Sequence, residues 1–454
     1  MAEHWAVASA LLGGTAAMRA AGEALLPKWP NEEQAAYSSR LKTATLFPAF
    51  ARTVGVMAGK PFSKALTFGE DVPPKLLELC DNVDMQGRNL HSFASDCLAE
   101  AVGYGFGGIL VDYPTTNGQV RTLADEKAIN ARPYMVHVKH GRVLGWRAEQ
   151  SNGATVLTQL RLSESAEVPD GEFGTKQVPR VRVLEPGKWS LYEDAVGRGD
   201  YVKIGEGVTT LRAIPFVPFY GERLGFMCGK SPLEELAHLN VKHWQSQSDQ
   251  DTITHVARVP ILAAIGLDDA SVFELTVGAS AAVKLPQGAE LKFVEHSGAA
   301  IKAGAESLAA LEDQMIQTGA ELLVKKPGDR SATESANDAE ANKCELQRIV
   351  EQFEDALDQA LQLMADWIGE PTGGHVSLFK DFSAATLDVA SAQLILSLQQ
   401  GGLITKQTAI REQQRRGMLE ASIDPEAELE AVGEEGPALG SMEDDQTDPA
   451  AAGA

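Results

Sequence analysis

Two long segments in the second half of the chain carry apolar residues at helical spacing. Residues 298–322 and 336–368 repeat them at steps of three and four: Ile301, Gly304, Leu308, Leu311, Met315, Thr318 and Leu322 in the first, and Leu346, Ile349, Phe353, Leu357, Leu361, Met364 and Ile368 in the second. This spacing predicts two amphipathic helices. The narrow stripe of the first has a period of about 3.5 residues, which is typical of helices that pack side by side.

A third long helix is predicted upstream, over residues 231–258. Its opening, GKSPLEELAHLN, places Ser231 as the N-cap, Pro232 as the first helical residue and Glu234 as the partner in a capping box. The runs PILAAIG, SVFELTV, AAVKL and LKFVEH follow this helix. They predict a small β-rich insertion over residues 259–297.

The first 230 residues combine helices with a strand-rich stretch. Helices are predicted at the start, with Asn31 as a cap ahead of Glu32 and Glu33, and again through NLHSFASDCLAEAVGYG. Residues 107–223 contain short apolar runs separated by Gly, Pro, Asn and Asp. These runs predict an antiparallel sheet packed on the earlier helices. No helices alternate with the strands, so the pattern disfavours a doubly wound nucleotide-binding domain.

The glycine-rich stretch GYGFGG, residues 103–108, matches the letters of a dinucleotide-binding motif. That motif needs a strand before the glycines and a helix after them, so that the helix N-terminus meets the pyrophosphate. Here the order is helix and then strand. The stretch is therefore interpreted as a flexible helix-to-strand turn, and no cofactor is expected.

The C-terminal part of the chain predicts shorter elements. HVSLF indicates a strand, and residues 387–418 indicate two small helices around GGLIT, with Thr405 as a cap and Gly402 as a break. From residue 421 the chain consists mainly of Glu, Asp, Ala, Gly and Pro, a composition that predicts disorder. The expected fold class is α+β.

The charge distribution makes one short segment stand out. The formal net charge is -23, and 11 acids lie between Glu420 and Asp448, so that about half of the charge is on the tail. An acidic body is the wrong sign for tight binding to phosphates. The loop between the two patterned helices nevertheless concentrates Lys325, Lys326 and Arg330. Taken alone, this loop has a plainer interpretation as an exposed connector between antiparallel helices.

The remaining chemistry excludes several classes of protein. The four cysteines, Cys80, Cys97, Cys228 and Cys344, have no zinc-type spacing and are expected to be reduced and buried. Neither a signal peptide nor a membrane-spanning run is expected. No GxxxxGK[ST] or GxSxG motif is present, and no catalytic residue is identified.

The helix over 231–258 raises the hypothesis of a metal site, because it carries three histidines and two aspartates: His238, His243, His255, Asp249 and Asp251. The spacing places the first two histidines on different helix faces, and no HExxH pattern is present, so no metal is expected. The polar run QSQSDQD, residues 245–251, fits a water-filled lumen and an outer surface equally well.

In the order of its predicted elements and in several short motifs, the chain resembles the portal proteins of tailed bacteriophages. GKSPLEELAHLN is similar to the G-x-S-P-L helix start of that family, and LQQGGLITKQTAIREQQRRGML resembles its C-terminal helical segment. LLPKWPNEEQAAYSSRL and ARTVGVMAGKPF resemble the N-terminal region of one portal subgroup. The similarity extends over nearly the whole chain up to residue 420.

The resemblance implies a portal-like ring subunit with a defined set of parts. Residues 1–230 and 336–386 would form a helical and β-rich wing, 231–258 and 298–322 two long stem helices, 259–297 a small β-rich clip, 323–335 the tunnel loop, 387–420 a short helical crown, and 421–454 the disordered acidic tail.

The resemblance also implies a function and partners. A portal is a homo-oligomeric ring, usually of about twelve subunits, at one capsid vertex of the virion, and it is assembled in the host cytoplasm. Double-stranded DNA is packaged and ejected through its channel without sequence-specific contacts. The terminase large subunit, a head-tail adaptor and the major capsid or scaffold protein would bind it, and no membrane is involved.

Three groups of residues are candidates for these contacts. The tunnel-loop group that would face DNA is Lys325, Lys326 and Arg330; the group on the stem that would face the lumen is Asp249, Asp251 and Lys302; and the group on the clip that would contact proteins is Val272, Phe273 and Leu275. No catalytic residue, metal or cofactor is implied. The alternatives are another structural virion protein, such as a scaffold or adaptor, and an enzyme with an unfamiliar site on the sheet domain.

Overall fold

The computed structural model describes most of the chain and has two compact units. The described residues are 1–114, 128–194, 197–258, 261–265, 290–294, 298–323, 343–380, 382, 397, 399, 404–415, 419 and 423–435. The units are Met1–Phe379 and Lys380–Ala454. Both helices and antiparallel sheets are present in the larger unit, which confirms the expected α+β class.

Eleven α-helices lie within the described ranges: α1 Ala2–Leu12, α2 Gly14–Ala21, α3 Gln34–Thr43, α4 Ala49–Gly59, α5 Pro74–Cys80, α6 Leu90–Tyr104, α7 Glu234–Ala257, α8 Ala299–Ala320, α9 Glu345–Ile368, α10 Lys406–Arg415 and α11 Pro425–Glu435. The strands in the same ranges are β1 Thr67–Phe68, β2 Phe106–Asp112, β3 Tyr134–Lys139, β4 Val143–Ser151, β5 Ala154–Asp170, β6 Gly174–Glu185, β7 Lys188–Glu193, β8 Val202–Val208, β9 Phe216–Tyr220, β10 Glu222–Gly225, β11 Cys228–Lys230, β12 Ile261–Ile265, β13 Glu290–Val294 and β14 Val376–Ser377.

The larger unit is built in layers around a three-stranded antiparallel sheet of order β3-β2-β9. Helices α6 and α9 pack on one face of it, where the Phe353 ring of α9 meets Phe219 edge to face at 5.6 Å. A five-stranded meander, β4-β5-β6-β7-β8, packs on the other face through Leu160, Leu162 and Leu184. The predicted antiparallel strands are therefore confirmed, but they divide into two sheets.

The GYGFGG stretch is a tight passage from α6 into β2. Asn89 caps α6 through its side chain, and Gly105 ends the helix with φ of 80°. A Cβ at Gly105 would lie 2.1 Å from the backbone carbon of Lys230, so only glycine fits. Phe219 and Phe216 cover Gly107 and Gly108 from opposite faces of the sheet. The interpretation as a helix-to-strand turn is confirmed.

The expected cap at Asn31 is wrong. Helix α3 begins at Gln34, and Asn31 has φ of 63°, a turn conformation that asparagine tolerates. The Glu32 carboxylate accepts hydrogen bonds from the backbone N–H of Trp29 and from the Arg40 guanidinium. These contacts hold residues 29–32 in a loop that precedes the helix.

Two other expected helix starts are corrected by local contacts. Ser231 is not the N-cap of α7, because its buried hydroxyl donates to Val102 O at 2.7 Å and accepts from Leu233 N at 3.1 Å, and the helix begins three residues later at Glu234. Helix α9 begins at Glu345, where Cys344 and Gln347 form a capping box. Residues 336–342, the first part of the predicted helix, lie outside the described ranges.

The smaller unit contains a helix where disorder was expected. Thr405 caps α10 as predicted, since its Oγ1 accepts from Thr408 N at 3.1 Å. The expectation of disorder from residue 421 is wrong for Pro425–Glu435, which form α11. Asp424 Oδ1 accepts from Glu426 N at 3.0 Å, and this cap compensates for the low apolar content of the segment. Gly402 lies outside the described ranges.

The cysteines agree with the expected reduced state. All four are free thiols; Cys80, Cys97 and Cys344 are buried, whereas Cys228 is only half-buried. Burial raises the pKa of the Cys80 thiol to about 12, so this group stays protonated and unreactive at neutral pH. No helix in the described part of the chain is long and apolar enough to cross a membrane.

Candidate functional site

Helices α7 and α8 lie antiparallel and form the longest helix pair in the described part of the chain. They contain 24 and 22 residues. The antiparallel strand pair β12–β13 lies at the end of the helix pair where α7 ends and α8 begins. At that end Gln250 Nε2 donates to Ile301 O at 2.9 Å, and Gly304 leaves room for the Gln250 side chain. Two of the predicted strands in the 259–297 insertion therefore pair with each other.

The apolar stripe of α8 is used inside the subunit. Leu308, Leu311 and Met315 are buried, and Gly319 packs against Thr53 of α4 and Leu236 of α7. In a ring of subunits, a stripe with a period of about 3.5 residues could instead pack the stem helices of neighbouring subunits together. The structure corrects that assignment, because α7 and α4 of the same chain already cover it.

A buried polar contact fastens α7 to the body of the unit. Asn240, which is fully buried, accepts from Phe50 N at 2.9 Å and donates to Phe47 O at 2.8 Å. Phe50 lies in the first turn of α4, where Pro48 occupies the N-cap position and makes no side-chain cap. Asn240 thus supplies from α7 the cap that α4 lacks in its own sequence.

The histidines of α7 have separate roles. His243 is buried, and its Nε2 lies 3.2 Å from Glu312 Oε1 on α8, so it links the two helices. His238 and His255 are exposed. Across the described ranges no group of three or more His, Cys, Asp or Glu side chains could hold a metal ion.

The three candidate lumen residues of the stem do not cluster. Asp249 is half-buried beside Arg40 and Trp29, and burial raises the pKa of its carboxyl despite the nearby Arg40. Asp251 is exposed and accepts from Gln247 Nε2 at 2.8 Å, and Lys302 is exposed, 3.8 Å from Glu306. Asp249 therefore faces the N-terminal helices, while Asp251 and Lys302 lie on the surface.

The other two candidate groups fall outside the described ranges. These are the loop residues Lys325, Lys326 and Arg330 and the insertion residues Val272, Phe273 and Leu275. Their roles remain predictions.

A small apolar stripe on the outer side of α8 was missed by the sequence reasoning. Ala305, Ala309, Ile316 and Ala320 lie within one narrow sector of the helix, and all four are exposed. Ile316 is 66% exposed, which is high for a large apolar side chain. The stripe runs for about 22 Å along the axis at 1.5 Å per residue. The signal in the sequence was the spacing of its alanines and isoleucine.

A cavity of about 660 Å³ lies between α6 and β3 and is lined mainly by polar and charged side chains. Its acids already have partners. Arg88 Nε contacts Asp84 at 2.6 Å, and its NH1 contacts Asp96 at 2.7 Å. Glu100 Oε1 accepts from His140 N at 2.9 Å, and these contacts with His140 lower the pKa of Glu100 although burial opposes them.

The described lining of this cavity also includes Tyr104 and Lys139. The contact between Glu100 and His140 joins α6 to the turn that follows β3, and the Arg88 pairs join α6 to the loop that precedes it.

His137 lines the same cavity, and its burial predicts that the stability of the protein depends on pH. Burial lowers its pKa from the usual 6.5, so the folded protein holds the neutral ring. Below about pH 6.5 the unfolded chain therefore binds more protons at this histidine than the folded protein does. The free energy of unfolding consequently decreases as the pH falls through this range. Urea unfolding between pH 7.5 and 5.5 should give a smaller loss of stability for His137→Phe than for the unchanged protein.

A control for this measurement is Val208→Ser, which alters the exposed end of β8. It should keep the pH slope of the unchanged protein. An equal slope for all three proteins would contradict the role of His137.

Comparison with known proteins gives one family match and several structural similarities. A domain of unknown function, DUF4055, matches residues 232–368, which include α7, α8 and α9 and make up less than a third of the chain. No curated protein matches the chain.

The structural similarities are to particles of gene transfer agents (GTA). A chain of the neck of an empty GTA particle, computed with C6 symmetry, has a TM-score of 0.43 and 14% identity over 80% of this chain and 88% of its own. A chain of the virion of a native GTA particle has a TM-score of 0.41 and 15% identity, and the match covers 88% of this chain and 98% of the other. A chain of the neck of a native GTA particle, computed with C12 symmetry, has a TM-score of 0.42 and 13% identity, and the match covers 81% of this chain and 89% of the other. TM-scores below 0.5 do not assign the chain to a family.

Proposed function

We propose that the chain is the subunit of a portal-type ring in a virion, through which double-stranded DNA is packaged and ejected. The observation that carries the proposal is the antiparallel helix pair α7–α8, with the paired strands β12 and β13 between the two helices in sequence and α9 following them. The motif-based resemblance requires this order of two stem helices, a β-rich clip and a long wing helix. The pair is also joined firmly to the body, since Asn240 bonds to α4.

The charge of the chain suits a channel that lets DNA slide. Each cation bound tightly to a phosphate releases counterions and strengthens adhesion, so a wall rich in acids keeps contacts weak. In the proposed ring, Lys325, Lys326 and Arg330 form the exception and supply repeated positive charges near the backbone. The contacts are to phosphates and not to base edges, as packaging of any sequence requires.

The proposed partners follow from the same assignment. The subunit is not an enzyme: the terminase large subunit hydrolyses ATP and docks on the clip, which later binds a head-tail adaptor. Val272, Phe273 and Leu275 are proposed to provide apolar contacts there. The major capsid or scaffold protein surrounds the ring.

The test of the proposed function is the assembled mass of the purified protein, with negative-stain images of the same sample. A ring of about twelve subunits around a hole wide enough for duplex DNA is the expected result. A stable small oligomer without a hole would contradict the portal assignment.

A second measurement addresses the loop. Replacing both Lys325 and Lys326 with alanine is expected to change DNA retention or packaging, because two rings of positive charge are removed from the channel. Assembled rings should form as before. Lys188→Ala with Lys203→Ala, which removes two charges from the meander, is the matched control. Loss of assembly in the loop variant but not in the control would contradict the proposal that the loop lysines act on DNA and are not needed for ring formation.

A further inference from the structure

The hairpin of β5 and β6 extends beyond the rest of the meander as a two-stranded arm. β4 pairs with β5 only up to Leu162, and β7 pairs with β6 only from Arg180 onward. The arm, residues 165–179, therefore consists of six residue pairs that end at Asp170 and Gly174. At about 3.4 Å per residue it is roughly 20 Å long.

The tip of the arm presents one large apolar side chain between acids. Phe173 is 95% exposed, and Asp170 and Glu172 lie beside it. An almost completely exposed phenylalanine forgoes the stabilisation that burial of its ring would provide. Such an aromatic at the end of a stiff hairpin is suited to act as an anchor in a partner's surface.

The edges of the arm are not suited to pairing with another strand. Pro169 on β5 and Pro179 on β6 have no backbone N–H to donate, and prolines on edge strands prevent edge-to-edge association. The arm therefore binds through its tip and not by strand addition.

A complementary surface lies on the outer face of α4 and on the turn that follows it, and we call it the α4 face: Arg52, Gly55, Val56, Gly59, Lys60 and Lys64. Residues 34–69 contain five Lys and Arg residues and no Asp or Glu, in a protein with a net charge of -23. Val56 is 56% exposed, and a Cβ added at Gly55 or Gly59 would meet nothing within 4 Å. The face thus combines a flat apolar strip with positive charge.

The arm and the α4 face belong to opposite layers of the same unit. α4 packs on α6, α6 packs on β2, and the meander that carries the arm packs on the other side of that sheet. Two complementary surfaces on different sides of a subunit make a head-to-tail contact, and such a contact closes into a ring when the rotation between copies allows it.

We infer that the acidic tip of one copy's arm docks on the α4 face of the next copy, with Phe173 against Val56 and the open glycines. Asp170 and Glu172 then lie near Arg52 and Lys60. This inference rests on the proposed ring, to which it adds a specific contact between subunits.

Mixed disulfide cross-linking tests the contact. One tagged chain carries Phe173→Cys and a second, differently tagged chain carries Val56→Cys, both in a Cys228→Ser background because Cys228 is the half-buried thiol. The chains are expressed together and oxidised. A cross-linked species containing both tags is expected, since a disulfide requires Cα atoms within about 7 Å. Leu144→Cys in place of Val56→Cys is the control, an exposed apolar site on β4.

A charge swap gives an independent readout. Asp170→Lys with Glu172→Lys, and Arg52→Glu with Lys60→Glu, should each raise the concentration needed for assembly by about tenfold or more, because like charges then meet. All four changes together should restore assembly toward that of the unchanged protein.

The outcomes separate this inference from the proposed function. If rings form, but no cross-linked species appears and the charge changes do not alter assembly, the arm contact is overturned and the proposed ring stands. A sample that forms no ring and no cross-link overturns both. Loss of DNA binding but unchanged assembly in Arg52→Glu with Lys60→Glu would identify the α4 face as a nucleic-acid surface and would also overturn the arm contact.

Discussion

Replacing Asn240 with Ala is expected to lower the free energy of unfolding by about 3 kcal/mol, as measured by urea denaturation. The amide makes two hydrogen bonds, to Phe50 N at 2.9 Å and to Phe47 O at 2.8 Å, and it is fully buried. Alanine leaves Phe50 N without its partner at a site with little access to water, whereas Phe47 O keeps its hydrogen bond from Ala49 N at 2.9 Å. An unpaired buried group costs about 1–3 kcal/mol, and the loss of a helix cap about 1 kcal/mol.

The matched control for Asn240→Ala is Lys242→Ala on the same helix. Lys242 is exposed, so this change should stay within about 0.5 kcal/mol of the unchanged protein. Asn240→Asp separates the two hydrogen bonds, because a carboxylate can accept from Phe50 N but cannot donate to Phe47 O. Equal stability of Asn240→Ala and Lys242→Ala would show that α4 is capped in another way.

Replacing Ile316 with Glu is expected to prevent ring formation while leaving the monomer folded. Within the described part of the chain, Ile316 on the outer stripe of α8 is 66% exposed, so its replacement should disturb little of the fold. In the proposed ring this stripe meets the neighbouring subunit, because the predicted inner stripe is occupied by α7 and α4. A carboxylate placed in an apolar interface loses its hydration without gaining a partner, which should weaken assembly by a factor of about 100 or more.

Assembled mass and circular dichroism distinguish the two effects of Ile316→Glu. Val202→Glu is the matched control, since Val202 is 65% exposed on β8. It should assemble like the unchanged protein. Rings that form normally with Glu at position 316 would exclude the outer stripe of α8 from the contact between subunits.

Helices with strong periodicity were predictable, whereas their ends and partners often were not. Leu308, Leu311 and Met315 place α8 correctly because the pattern alone determines an apolar face. The same pattern cannot tell whether that face is covered by the same chain or by another copy. The expected cap at Ser231 failed because its hydroxyl binds Val102 O, 129 residues away in sequence.

Buried polar contacts were the least predictable part of the candidate site. Asn240 and its partner Phe50 are separated by 190 residues, and a single polar residue within α7 has no distinctive spacing. Its importance arises from Pro48, which leaves the start of α4 without a cap of its own. Likewise, the acids that surround Arg88 are ordinary in sequence, and they become a network only when the loop that carries Asp84 and Arg88 folds against Asp96 of α6.

The way α7 and α8 meet also has a consequence for how related chains can diverge. The strands at the tip, β12 and β13, pair with each other, and Gln250 joins the two helices just beneath them. Residues added to or removed from the tip therefore change neither the register of the helix pair nor its attachment at Asn240. Loops closed off in this way tolerate large changes in length at small entropic cost. In the proposed ring, exchanging the tip between related chains should therefore transfer partner preference without redesign of the supporting helices.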